Sequence, residues 1–204
     1  MTPMQYLKTV EDLETLYPEP SVNATRKVAR SLTPAYRKWI MTSRYCVLST
    51  VGPDGTDASP RGNHGPVVSA LDDQTLAMPD WPGNNRIDTL RNIVQDPRIA
   101  LMFMIPGQGL VVRVNGQARV TTDTPLRQQF EHKGKTPRSV IVIKINEIYS
   151  HCSRATLRSD LWNPDNRPTT APSMGELLAE ATQGEVDAAS YNQDWEIRGP
   201  KLLW

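Results

Sequence analysis

Two short basic turns carry the residue types best suited to chemistry in this chain. Residues 82–86 read PGNNR, so Asn84 can cap a following helix and Arg86 would fall in its first turn. Residues 59–62 read SPRG and end a candidate strand, which places Ser59 and Arg61 in a second polar turn. A helix N-terminus offers unpaired backbone N–H groups and a positive dipole end, and with guanidinium groups it can hold an anion such as phosphate.

The residues of both turns can be interpreted in two ways. A basic side chain at a helix N-terminus is mildly unfavourable, which favours an anion bound beside Arg86. A capped surface helix with a solvated Arg86 fits the same residues, and Ser59 with Arg61 fits an ordinary polar strand end. The residues of the two turns therefore leave an anion site and two solvated turns as open alternatives.

Other residues give weaker indications of a metal site or a catalytic site. The three histidines, His64, His132 and His151, are far apart in the sequence and form no HxxxH or HExxH motif, so we expect no metal site. Cys46 falls in a candidate buried strand, where an inert thiol is expected. Ser49, Ser59 and Ser69 have no GxSxG setting. Catalytic residues therefore stay unassigned, and an enzyme with this sequence would depend on a cofactor.

The composition limits the partners of the chain. Its 204 residues include 23 Lys and Arg against 22 Asp and Glu, and a net charge of +1 gives no general field for nucleic acid or an anionic membrane. The two cysteines form no disulfide framework, the N-terminus is too polar for a signal peptide, and no apolar run reaches membrane-spanning length. We therefore expect one cytoplasmic domain that binds neither nucleic acid nor a membrane.

The hydrophobic periodicity changes from helix to strand and back along the chain. Helices are predicted at residues 9–17, 21–31 and 33–43, the third beginning at Thr33-Pro34. Strands are predicted at residues 45–51, 56–61, 66–71, 75–78, 98–105, 110–121 and 139–149. Further helices are predicted at residues 84–96, 124–130, 151–162, 174–182 and 186–197. Strands so short and so closely spaced favour an antiparallel barrel or sandwich over a βαβ sheet.

Several strings in the middle of the chain resemble the pyridoxamine 5′-phosphate oxidase-like flavoproteins, and they look like a bacterial FMN-dependent branch of that family. They are ASPRG at 58–62, PGNNR at 82–86, LRNI at 90–93, RVNG at 113–116 and HCSR at 151–154. The resemblance implies a mainly β fold with flanking helices, an antiparallel split β-barrel of the FMN-binding type over residues 45–162. It further implies a homodimer with FMN at the subunit interface.

The two ends of the chain would flank this barrel. Residues 1–44 are expected to form a helical segment packed on it. Residues 163–204 are expected to be a helical extension, too apolar at Trp195 and Trp204 to be a free tail, that docks on the barrel or on the second subunit.

The resemblance also implies a set of cofactor-binding residues. One subunit would contribute the strand ends and the turn that hold the flavin and its phosphate. These residues are Ser59, Arg61, Met78, Pro79, Asn84, Asn85 and Arg86. The other subunit would contribute a long strand carrying Val111 and Arg113, and the C-terminal residues Arg154 and Arg158 would close the site.

The function implied by this resemblance is FMN-dependent oxidation or reduction of a small molecule, with hydride passing through flavin N5. Two alternatives use the same barrel. One is a flavin- or haem-binding module without catalysis, since a fold does not decide a function. The other is a deazaflavin-dependent reductase, which the Asn84-Asn85-Arg86 turn fits less well than the FMN branch.

Overall fold

A single antiparallel sheet organises the chain. The computed structural model describes residues 3–166, 168 and 170–203, and in them seven strands follow the spatial order β2-β1-β5-β6-β7-β4-β3. The strands are β1 (Tyr45–Gly52), β2 (Gly55–Gly62), β3 (Ser69–Ala70), β4 (Thr75–Asp80), β5 (Arg98–Met104), β6 (Val111–Thr121) and β7 (Ser139–His151). The helices are α1 (Val10–Glu14), α2 (Val22–Arg26), α3 (Pro34–Thr42), α4 (Asp88–Gln95), α5 (Thr124–Gln128), α6 (Arg154–Arg158), α7 (Met174–Ala181) and α8 (Ala188–Arg198), followed by a 3₁₀ turn at Gly199–Leu202.

The strands close around an apolar core because one side of β1, β4, β5, β6 and β7 is aliphatic or aromatic. Leu48, Leu101, Phe103, Val114 and Ile143 are each 1% exposed or less. Strands β6 and β7 form the longest pairing, and their register shifts at Asn115 and Gly116. Such a bulge bends a strand pair and helps a sheet to curl. The expected fold class, an antiparallel split β-barrel with flanking helices, is confirmed.

Helix α3 seals one side of the barrel, and its start follows the predicted signal. The Thr33 hydroxyl accepts a hydrogen bond from the Tyr36 backbone N–H, and Pro34 occupies the first helical position. Ile40 is fully buried, and the Tyr36 hydroxyl accepts from the Ser150 N–H of β7. Residues 3–26, which include α1 and α2, are exposed at every position.

Helix α4 begins later than the sequence predicts. Its first residue is Asp88, and the residue before it, Ile87, has a left-handed backbone and makes no side-chain cap. The Asn84 side chain accepts from the Arg86 backbone N–H and so closes a local turn instead. Arg86 therefore precedes the helix, and the prediction that Asn84 caps it is wrong.

The C-terminal residues form a helical hairpin near the end of β2. Helices α7 and α8 are joined by hydrogen bonds from the Gly175 backbone N–H to the Asn192 amide oxygen and from the Asn192 amide to the Ser173 hydroxyl, at 3.0 and 2.9 Å. Trp195 shares an open cavity with Gly62 and Trp81. Trp204 lies outside the described residues. No described helix is long and apolar enough to cross a membrane.

Candidate functional site

The structure brings the two basic turns together in one groove of about 570 Å³. We call this the arginine groove; it lies between the ends of β2 and β4, the turn before α4 and the start of β7. Three arginines and three aspartates supply its charges. They are Arg61, Arg86, Arg138, Asp57, Asp80 and Asp88. Because the formal charges cancel, the groove favours an anion only where a guanidinium lacks a carboxylate partner.

The turn between β4 and α4 holds its backbone in an unusual conformation. Asn85 and Ile87 have φ angles of 60° and 57°, in the left-handed region that non-glycine residues seldom adopt. For Ile87, a β-branched residue, this conformation is a genuine outlier. Backbone strain of this kind costs about 1–3 kcal/mol per residue and clusters at ligand sites. This strain makes the turn a candidate binding loop.

Ser59 and Arg61 belong to a chain of hydrogen bonds whose direction can be deduced. Thr89 donates its one hydroxyl proton to the Asp57 carboxylate at 2.6 Å, and Ser59 lies 3.1 Å from the same Thr89 oxygen. Ser59 must therefore donate to Thr89. The Arg61 Nε donates in turn to the Ser59 oxygen at 3.2 Å. The Ser59 hydroxyl proton is thus engaged within the protein, and this side chain can only accept from a ligand while the chain of bonds is intact.

The three arginines differ in their partners. Arg61 pairs with Asp80 at 2.8 Å, and both side chains are about four-fifths buried. Arg86 pairs with Asp88 at the same distance, but its side chain is 76% exposed, so solvent screens this pair. Arg138 donates to the neutral Asn85 amide oxygen at 3.1 Å. Arg138 is therefore the guanidinium best placed to meet an anion at the turn, and Arg86 lies beside it.

Arg138 was missed by sequence reasoning. It directly precedes β7, and β7 pairs with β4 so that Ser139 lies opposite Asp80. This pairing carries Arg138 to the turn that follows β4. The available signal was the basic residue at the start of the last predicted strand, but the partner strand could not be read from the local pattern.

A second groove, of about 540 Å³, lies on the other side of β1, and we call it the apolar groove. Its walls include Val47, Met102, Val111 and Leu161. Arg113, a predicted cofactor residue, also lines it and lies over the Tyr149 ring at 5.3 Å. Such a lining suits a flat, largely apolar ligand with one charged or polar edge.

Helix α6 forms one wall of the apolar groove. The Thr156 hydroxyl donates to the Gly109 carbonyl at 2.6 Å, and the Trp162 indole donates to the Gln108 carbonyl at 2.8 Å. Both acceptors lie in the β5–β6 connection. The predicted residues Arg154 and Arg158 are exposed on this helix and do not line either groove.

The remaining predicted residues lie mainly inside the barrel. Met78 is 1% exposed and pairs with Ile141 across the sheet. Met78 and Pro79 line a small cavity of about 140 Å³ beside Arg61. Within one chain, therefore, Ser59, Arg61, Asn84, Asn85 and Arg86 come together. By contrast, Val111 and Arg113 line the apolar groove, and no observation assigns a catalytic residue.

Cys46 behaves as expected for a core thiol. It is fully buried, and burial raises its pKa from 9.0 to about 12, although the nearby Arg61 charge opposes the shift. A thiol with so high a pKa supplies almost no thiolate at neutral pH, so it is not a nucleophile.

Residues 32–152 match the family described as pyridoxamine 5′-phosphate oxidase. This match covers more than half of the chain. The chain belongs to the pyridoxamine 5′-phosphate oxidase-like family. No curated protein matches the chain.

Solved structures with a similar fold share little sequence with the chain. HupZ of Group A Streptococcus is 19% identical with a TM-score of 0.50, over 60% of this chain and 95% of HupZ. General Stress Protein 26 of Bacillus anthracis is 21% identical with a TM-score of 0.41, over 55% and 88%. An FMN-binding protein of Syntrophomonas wolfei is 15% identical with a TM-score of 0.44, over 56% and 82%. The HupZ likeness supports the fold, and identities this low carry nothing about activity.

Proposed function

We propose that this chain is an FMN-dependent oxidoreductase that acts on a small molecule as a homodimer, with FMN at the subunit interface. Membership of the family supports a flavin-related function. When bound, FMN supplies a hydride acceptor and donor at N5. The chain itself supplies binding, orientation and exclusion of water.

The observation that carries this proposal is the placement of Arg138 and Arg86 around Asn85. Arg138 has a neutral partner there, and the Arg86 pair with Asp88 is exposed and easily exchanged. A phosphate bound at the turn would gain charge-assisted hydrogen bonds from two guanidinium groups. The arginine groove therefore fits the phosphate end of FMN.

Arg61 has a different proposed role from Arg86 and Arg138, because it is paired with Asp80. Because this guanidinium is already paired and largely buried, moving it to a ligand would leave Asp80 buried without a partner. Arg61 therefore positions Ser59 and the end of β2, and it acts on the ligand mainly through its charge. Ser59 offers the ligand an acceptor oxygen.

The separation of the two grooves supports the homodimer. In one chain the polar residues that suit a phosphate line the arginine groove, while Val111 and Arg113 line the apolar groove. A second copy would place its apolar groove beside the arginine groove of the first. The flavin ring would then lie against the strand carrying Arg113, shielded from water by the aliphatic lining.

The visible spectrum of the purified full-length protein tests this proposal. We expect flavin absorption bands that bleach when NAD(P)H or a substrate reduces the protein under anaerobic conditions. A bound flavin that no reductant changes would instead support a binding module. A haem spectrum, a preference for deazaflavin, or a colourless protein that does not take up added FMN would overturn the assignment.

A further inference from the structure

Two of the three histidines meet outside both grooves described above. His64 follows β2 and His132 follows α5, yet their ring centroids are 6.0 Å apart and their planes are inclined by 40°. Both rings line an open groove of about 460 Å³, which we call the histidine groove and to which Glu131 and Asn63 also contribute. No metal site was expected from the sequence because the histidines are far apart along the chain, yet the fold brings His64 and His132 close together in space.

Hydrogen bonds hold the backbone of each histidine in place. The Asn63 side chain accepts from the His64 backbone N–H at 2.9 Å and donates to the Pro66 carbonyl at 3.0 Å. His132 and Lys135 exchange two backbone hydrogen bonds across a tight turn, at 2.9 and 3.0 Å. Lys133 and Gly134, the central residues of this turn, have φ angles of 52° and 76°. Left-handed residues at both central positions are typical of the rigid turns found in hairpins.

The separation of the rings suits one shared metal ion. An imidazole nitrogen binds Zn²⁺ at about 2.0–2.1 Å. Each ring centre then lies about 3 Å from the ion, so two such rings have centroids roughly 5–6.5 Å apart for coordination angles from tetrahedral to nearly linear. The observed 6.0 Å falls in this range. Each ring binds the ion through one nitrogen, and the other nitrogen can keep a hydrogen-bond partner.

The histidine groove is lined by one basic and one acidic side chain besides the two histidines, so its lining carries no net charge against a cation. Arg37 lines the same groove, but it is paired with Asp73 at 2.7 Å. Glu131 brings a carboxylate to the groove. Among the described residues, no group of three or more His, Cys, Asp or Glu side chains could hold a metal ion. A metal at this pair would therefore keep other coordination positions for water or an external ligand.

We propose that His64 and His132 together bind one divalent transition metal ion of the class that prefers nitrogen ligands, such as Zn²⁺, Ni²⁺ or Cu²⁺. The site is separate from the Arg86 and Arg138 pair. Its occupancy is independent of the proposed flavin function, and the two proposals can fail separately.

Titration of the full-length, EDTA-treated protein with ZnCl₂ in a calorimeter tests the proposal. We expect one ion per chain in the wild type, a loss of affinity of about tenfold or more in His64→Ala and in His132→Ala, and no binding in the double variant. Cu²⁺ added to the wild type should give an electron paramagnetic resonance spectrum with coupling to two nitrogens.

His151→Ala is the matched control because this third histidine is exposed and lies at the end of β7. It should bind Zn²⁺ as the wild type does. Equal loss in His151→Ala, unchanged binding in the double variant, or no binding by the wild type would each overturn the proposal. Circular dichroism of each variant verifies that it folds, and His64→Asn with His132→Asn replaces any alanine variant that does not.

Discussion

Arg138 donates a hydrogen bond to the Asn85 amide oxygen across 3.1 Å and so ties the start of β7 to the turn that follows β4. The turn is strained at Asn85 and Ile87, and this contact holds it from the opposite side of the arginine groove. The residue that stabilises the turn is thus also the cation best placed to bind a phosphate there.

Replacing Arg138 should weaken FMN binding. We expect Arg138→Ala, and separately Arg86→Ala, to raise the Kd for FMN by about 10- to 100-fold, because each removes a hydrogen bond to a charged group. Flavin fluorescence quenching on the apoprotein measures this change. Arg26→Ala is the control, since Arg26 is exposed on α2. Unchanged affinity in both groove variants would contradict the phosphate site.

Thr89 should be more important for stability than its size suggests. It is 4% exposed and connects the Ser59 hydroxyl to the Asp57 carboxylate. Thr89→Val keeps the shape of the side chain but leaves two polar groups without their partner, so the free energy of unfolding should fall by about 1–3 kcal/mol. Urea denaturation measures it. Thr56→Val, at an exposed position of β2, should change stability by less than about 0.5 kcal/mol, and an equal effect in both variants would contradict this role of Thr89.

Much of the barrel could be predicted from local patterns, because strand alternation and turn chemistry are local. The hairpin between β1 and β2 has Gly52 opposite Gly55, in the gap between the strands predicted at residues 45–51 and 56–61. The start of α4 was mispredicted because Asn84 can cap a helix or close a turn on Arg86, and the sequence does not decide between these competing hydrogen bonds.

The parts of the candidate site that could not be predicted from the sequence depend on pairing between residues far apart in the chain. Arg138 reaches the turn only because β4 and β7 are neighbours, and Arg61 meets Asp80 only because the barrel closes. Side-chain partners across such distances leave no periodic signal in the sequence. The residue types of the turn indicated Asn84 and Arg86, and the resemblance to a family added Asn85, but neither could reveal that carboxylates pair with two of the three arginines.

The homodimer predicts that the apolar groove becomes buried on association. Met102 is 36% exposed on β5 and lines this groove. Met102→Glu would place a charge in the proposed interface, so the protein should become monomeric and lose FMN affinity. Sedimentation velocity and FMN titration measure both effects. Val94→Glu adds the same charge at a position that is 76% exposed on α4 and should leave the dimer intact. A dimer of unchanged affinity in Met102→Glu would place the interface elsewhere.

The raised pKa of the buried Cys46 thiol predicts a loss of stability at alkaline pH. The folded state keeps the thiol protonated up to a pKa of about 12, whereas the unfolded chain releases the proton near the ordinary value of 9.0. Between these values the unfolded state binds fewer protons, so stability falls as pH rises, by at most about 1.4 kcal/mol per pH unit. Below pH 9 the contribution is fully present.

The comparison of wild type with Cys46→Ala isolates this contribution from the other groups that titrate at high pH. The variant should be less stable at neutral pH because of the cavity it leaves, yet its stability should fall less steeply between pH 9 and 11. Thiol labelling gives a second measurement, since only the exposed Cys152 should react in the native protein. Parallel pH profiles, or rapid labelling of both cysteines before unfolding, would contradict a buried thiol beside the arginine groove.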